Sequence, residues 1–183
     1  MTSLLRFEAV TLRRDGRLLF ENLDFALGAG EALQVSGPNG SGKSSLIRLA
    51  AGLLQAERGR IERSPAALAD ENIALDRELP LKRALTFWGG SVERAMDALG
   101  IAHLADVPVR LLSSGQGKRA ALARVVSSGA PLWLLDEPLN ALDAEGAERL
   151  ARIIERHRVG GGAVVAASHQ TMPGEWRTLE LAR

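Results

Sequence analysis

Ser36-Gly37-Pro38-Asn39-Gly40-Ser41-Gly42-Lys43-Ser44 is the stretch around which the rest of the chain is organised. It fits the phosphate-binding loop pattern G-x-x-x-x-G-K-[ST], with Gly37, Gly42, Lys43 and Ser44 at the fixed places and Pro38, Asn39, Gly40 and Ser41 between them. Glycines let successive backbone N–H groups turn inward on anionic oxygens. Lys43 would bring a point charge to the β- and γ-phosphates of a nucleotide, and the Ser44 hydroxyl a ligand for Mg²⁺. The flanks agree. Glu31–Val35 reads as a short strand entering the loop, and the residues from Ser44 onward as a helix leaving it. Leu46, Leu49, Ala50 and Leu53 recur on one helical face, and Gly52 is the expected terminator. A strand, a glycine loop and a helix N-terminus in that order make an anion site. The plainer alternative, a glycine-rich turn holding an incidental lysine, does not account for these flanks.

Bulk properties narrow the classes. A chain of 183 residues that is 46% hydrophobic suits one globular domain, residues 1–183, with a proper core. A net charge of +1 offers no field to recruit nucleic acid, so no nucleic-acid partner is expected. The chain has no cysteine, which excludes disulfides, thiolate metal sites and cysteine nucleophiles. Its first residues lack the basic start and apolar core of a secretory signal. No apolar run reaches the roughly 18 residues of a membrane span.

Along the chain, Leu5, Phe7 and Ala9 alternate with polar neighbours, Asp15-Gly16 signals a hairpin, and Leu23, Phe25 and Leu27 alternate again. These patterns predict antiparallel strands at the N-terminus. Glu57-Arg58-Gly59-Arg60 reads as a polar turn, and residues 62–90 are the least legible part. Ser91 is a candidate cap for a short helix with Val92, Ala95, Met96 and Leu99 on one face. Leu112-Ser113-Ser114-Gly115-Gln116 opens another helix. The apolar run Pro131-Leu132-Trp133-Leu134-Leu135 then predicts a strand buried on both faces. Asp143 caps a further helix, and Ala163–Ala167 makes a second buried strand ending at Ser168-His169. Strands alternating with helices predict an α/β fold with a mostly parallel sheet core and an N-terminal antiparallel β subdomain.

Asp136 and Glu137 stand at the end of the run Leu132–Leu135, where open α/β sheets place ligand groups. Asp136 would hold Mg²⁺ together with Ser44, and Glu137 would act as general base on the attacking water. A pair of solvated acids before Pro138 is the alternative, disfavoured by the phosphate loop upstream.

Leu112-Ser113-Ser114-Gly115-Gln116 resembles the signature motif of ATP-binding cassette (ABC) ATPases, usually Leu-Ser-Gly-Gly-Gln, with Ser114 at the first glycine. Asn140-Ala141-Leu142-Asp143 resembles that family's D-loop, and His169 matches its switch histidine, which contacts the γ-phosphate. In the family's order these motifs run from Gly37 to His169. The resemblance implies a nucleotide-binding domain of the P-loop NTPase class, with a small helical subdomain at approximately 72–127. It implies two such domains facing head to tail, so that Ser113, Ser114, Gly115 and Gln116 of one close over ATP on the phosphate loop of the other. A homodimer, or a heterodimer with a related subunit, is expected.

Within the family, Asp106-Val107-Pro108-Val109, Trp133 and Gly161–Gln170 resemble the heme-exporter branch. That branch implies a peripheral subunit on the cytoplasmic face of a bacterial inner membrane, bound to integral membrane exporter subunits. The glutamine normally found after the third strand is matched by Asn72, one methylene shorter. The aromatic that usually stacks on adenine is replaced by Thr11-Leu12-Arg13-Arg14, so an arginine face and loose adenine selectivity are expected. Readings of other classes are a soluble ABC protein acting on nucleic acid or ribosomes, and a regulatory module that binds ATP with weak or no hydrolysis. No basic patch supports the first; Asn72 is what motivates the second.

Overall fold

The computed structural model describes residues 3–72 and 74–181. Two sheets share the chain. The N-terminal one is antiparallel, ordered β2-β1-β4, from β1 (Ser3–Arg14), β2 (Arg17–Gly28) and β4 (Arg58–Arg63). The hairpin turns at Asp15 and Gly16, both at positive φ, as a tight connection between twisted strands requires. Alternation holds for Leu5 and Phe7, both buried, and then fails. Ala9 is exposed at φ 46° in a bulge, and Val10 and Leu12 take the inward positions instead. The bulge also corrects the reading of Glu57–Arg60 as a turn. Arg58 opens strand β4, which pairs with β1 from Thr11↔Arg58 to Leu5↔Arg63. Gly59 faces the bulge, where any Cβ would collide with the Ala9 carbonyl.

The second sheet is five-stranded and parallel, ordered β5-β6-β7-β3-β8. Its strands are β3 (Ala32–Ser36), β5 (Ala66–Ala69), β6 (Leu132–Asp136), β7 (Ala163–Ala167) and β8 (Arg177–Glu180). Every residue of β6 and β7 is buried, because helices or the first sheet cover both faces. Leu132, Leu134, Ala163 and Val165 pack with α1 (Lys43–Ala51) and β1 on one side. Trp133, Leu135, Val164 and Ala166 face the other side, with α4 (Ser114–Ser127) and α5 (Ala144–Val159). The shorter helices α2 (Leu81–Thr86) and α3 (Val92–Ala98) join that second cluster through Leu81, Leu85, Met96 and Leu99. Ser91 occupies the cap position of α3 but makes no side-chain cap bond.

Burial, not charge pairing, holds this arrangement. A fully buried leucine contributes about 1.5–3 kcal/mol, whereas exposed ion pairs such as Arg60–Glu62 contribute about 0–1 kcal/mol. Helix α1 ends at Gly52, in the left-handed region, one residue before Leu53. Leu53 is therefore 62% exposed and does not extend the buried face of Leu46, Leu49 and Ala50. At the opposite end of β6 the His157 ring lies parallel to Trp133 at 3.7 Å, and a Cβ on Gly162 would collide with it. Among the described residues no helix is long and apolar enough to cross a membrane.

Candidate nucleotide site

The site forms where β3, β6 and β7 present their C-terminal ends side by side. From β3 the chain enters the glycine loop. Gly37 sits at φ 142°, and a Cβ there would collide with the Leu181 carbonyl and the Ser41 hydroxyl. Gly42, at φ 104°, caps α1 and lies against Leu19 and Phe20. Gly37 needs glycine for conformation and for space, and Gly42 for conformation. Lys43 is 7% exposed, and its Nζ donates to the Gly37 carbonyl at 2.8 Å and the Pro38 carbonyl at 3.2 Å. The ammonium is thus held over the loop by weak neutral acceptors, which an anionic oxygen would outcompete. The buried Ser41 hydroxyl has no hydrogen-bond partner within the described chain.

Opposite the loop, the Ser44 hydroxyl donates to Asp136 Oδ1 at 3.1 Å. Burial pushes the Asp136 carboxyl above its usual range, and the neighbouring Glu137 charge adds to this; Ser44, Lys118 and Arg48 oppose it. A cation between the two oxygens would relieve that cost. Mg²⁺ takes one or two protein oxygens and completes its shell with phosphate and water, so this sparse donor set suits it. Among the described residues no cluster of three or more metal-ligating side chains offers a closed cage.

Glu137 follows in a conformation unusual for a non-glycine residue, φ 45°. Its N–H donates to the Ala167 carbonyl at 2.8 Å, continuing the β6–β7 ladder by one bond. His169 Nδ1 lies 2.8 Å from Glu137 Oε2 and donates to it when the carboxylate is ionised. His169 therefore meets Glu137 directly, beside the phosphate loop. Glu137 lines adjoining clefts of about 610 Å³, 460 Å³ and 500 Å³. The first runs from the phosphate loop to Arg14, Asp15 and Arg17 of the β1–β2 hairpin. The last includes Gly37, Pro38, Asn39 and His169.

The cleft of about 460 Å³ is walled by Ser44, Asp70, Glu71, Ser114, Lys118, Asp136 and Asn140 among others. Ser113 caps α4 in a capping box: its hydroxyl accepts from the Gln116 N–H, and its own N–H donates to Gln116 Oε1. Gly115 abuts the Ala141 carbonyl, where a Cβ would come within 2.8 Å. Asp143 caps α5 through the Gly146 N–H and also accepts from Arg119. Those contacts, in that order, hold its carboxyl below the usual range.

Lys43, Ser44, Asp136, Glu137 and His169 thus converge within one chain. Ser113 and Gln116 do not face that phosphate loop; of the signature segment only Ser114 lines its cleft. Asn72 is exposed, donates its backbone N–H to Asp70 Oδ1, and lies outside the cleft lining, where Asp70 and Glu71 stand instead. Lys118 escaped the sequence reading. Its Nζ donates to the Asp136 carbonyl at 3.0 Å. Burial pushes its ammonium down, while Asp136, Glu137 and Asp70 hold it up. The one available signal, a lysine two residues after Gln116, gives no direction without the fold.

The sequence pattern of the family described as "ABC transporter" matches residues 20–140. A protein named cytochrome c biogenesis ATP-binding export protein CcmA, from Sphingopyxis alaskensis, is 55% identical, over 92% of this chain and 91% of its own length. One of the same name from Pseudomonas syringae is 39% identical, over 100% and 97%. An ATP-binding subunit of an ABC transporter shares the fold with a TM-score of 0.84 at 22% identity, over 91% of this chain and 80% of that one. A metal-chelate type ABC transporter in an inward-facing conformation gives 0.80 at 26%, over 93% and 74%. The chain is an ATP-binding, ATP-hydrolysing subunit: it belongs to the ABC transporter family, among the cytochrome c biogenesis ATP-binding export proteins.

Proposed function

We propose that this chain is the ATPase motor of a heme exporter serving cytochrome c biogenesis, seated on the cytoplasmic face of a bacterial inner membrane. The observation that carries the mechanism is the meeting of phosphate loop, the acids Asp136 and Glu137, and His169 at the ends of three parallel strands. The export reading rests on relatives such as the Sphingopyxis alaskensis protein. As a subunit of this family the chain acts with membrane partners, and the exporter's integral subunits would be those partners.

In this reading the loop N–H groups and Lys43 bind the β- and γ-phosphates. Ser44 and Asp136 would hold Mg²⁺, which supplies charge neutralisation on the phosphate oxygens when bound. Glu137 accepts a proton from the attacking water, and His169 orients the Glu137 carboxylate and meets the γ-phosphate. Asn72 is read as the counterpart of the family's glutamine, which would link this site to the membrane partner; it is exposed, and Asp70 and Glu71 line the cleft in its stead. Asp143 and the signature residues Ser113, Ser114, Gly115 and Gln116 lie at the surface a second copy would cover. A homodimer, or a pair with a related subunit, completes each ATP site.

Shared sites have a direct test. Lys43→Ala and Ser113→Arg subunits, each inactive alone, should on mixing recover activity, since each mixed dimer, about half of the dimers at equal mixing, holds one site with neither change. No recovery in steady-state phosphate release would rule out sharing. At the other end of the cleft, Arg14 and Arg17 line the wall and would offer the guanidinium face that stacks on the base. A guanidinium plane stacks on any purine. ATP and GTP should therefore compete within about tenfold of each other, whereas a preference above about a hundredfold would exclude guanidinium stacking as the main base contact.

A further inference from the structure

Lys118 belongs to none of the motifs above, yet its ammonium reaches the chemical centre. The peptide joining Asp136 to Glu137 is gripped at both polar atoms. Its N–H donates to the Ala167 carbonyl at 2.8 Å, and its C=O accepts from Lys118 Nζ at 3.0 Å. That peptide precedes the φ of Glu137, held at 45°. A non-glycine residue keeps such a conformation only where its surroundings over-determine it. The Ala167 bond alone is a hinge; two bonds on opposite sides of the peptide stop it from rocking. Asp70, Asp136 and Glu137 face the ammonium, while Arg48 on α1 is engaged by Glu71 at 3.5 Å and His169 by Glu137.

We propose that Lys118 is a positioning residue for hydrolysis: by clamping the Asp136–Glu137 peptide from helix α4 it holds the Glu137 carboxylate in register with the phosphate loop. The proposal rests on Glu137 being the general base. Lys118 touches neither nucleotide nor water in this scheme. Its loss should therefore lower turnover and leave nucleotide binding nearly intact, as expected for a contact that matters only in the transition state.

Steady-state ATP hydrolysis by the full chain is the measurement, with Lys118→Met, Lys118→Gln and Lys118→Arg compared. The methionine variant should lose about 10–100-fold in kcat with KM within about threefold. Arginine, and to a lesser extent glutamine, can still donate to the carbonyl and should recover much of that loss. A methionine variant within about twofold of the parent, or one whose KM rises at constant kcat, overturns the proposal. So does an arginine variant no better than methionine while both melt at the parent temperature. If methionine does not fold, glutamine against arginine decides on the same terms. Glu137→Gln separates the layers. Retained turnover there removes the general-base reading, whereas a dead Glu137→Gln beside a normal Lys118→Met removes only the clamp.

Discussion

Glu137→Gln should bring ATP turnover down by about 10²–10⁴-fold while leaving ATP binding in place. The amide keeps the shape of the side chain and can still accept from His169 Nδ1, but it cannot take a proton from water. The backbone bond to Ala167 and the bond from Lys118 to Asp136 do not involve the Glu137 side chain, so the loop geometry should survive. Uncleaved ATP then accumulates, and the dimer proposed above should persist in size-exclusion chromatography with ATP and Mg²⁺. Phosphate release within about twofold of the parent would refute the role assigned to Glu137.

Lys43→Ala should act on affinity instead. Lys43 is buried, and its ammonium rests on the Gly37 and Pro38 carbonyls, from which it can turn to a phosphate. Removing one partner of a buried charge-assisted contact costs about 2–5 kcal/mol, which is about 30-fold to several thousandfold in Kd. Titration with a fluorescent ATP analogue reads this directly, and unchanged affinity would sink the phosphate role. Thermal unfolding checks the accompanying loss of the two loop bonds. The two variants should fail differently: Glu137→Gln binds without turning over, and Lys43→Ala binds ATP far more weakly.

What could be read ahead of the fold was local in origin. The phosphate loop is legible because its glycines answer to backbone demands at Gly37 and Gly42, and because strand and helix patterns flank it directly. Strands β6 and β7 are legible because burial on both faces leaves a short uninterrupted apolar run. Strand β4 was not. Arg58–Arg63 carries charges at most positions and is mostly exposed, so it becomes a strand only because β1 supplies hydrogen bonds along its edge. Ala9 was misread since a bulge shifts the inward register, and a bulge has no period. Strand β8 and the outward turn of Leu53 were also invisible, one set by pairing with β3 and the other by the left-handed Gly52.

The same division runs through the site. The chain's own residues dictate a strand–loop–helix that binds phosphate and an apolar strand that ends in two acids, because both are short-range consequences of residue type. The fold alone decided that Ser44 meets Asp136, that His169 meets Glu137, and that Asp70 and Glu71 rather than Asn72 line the cleft. It also brought Lys118 from the signature helix onto the peptide between the acids. Each of these contacts joins segments far apart in the chain, and no local pattern encodes which strand ends will lie side by side.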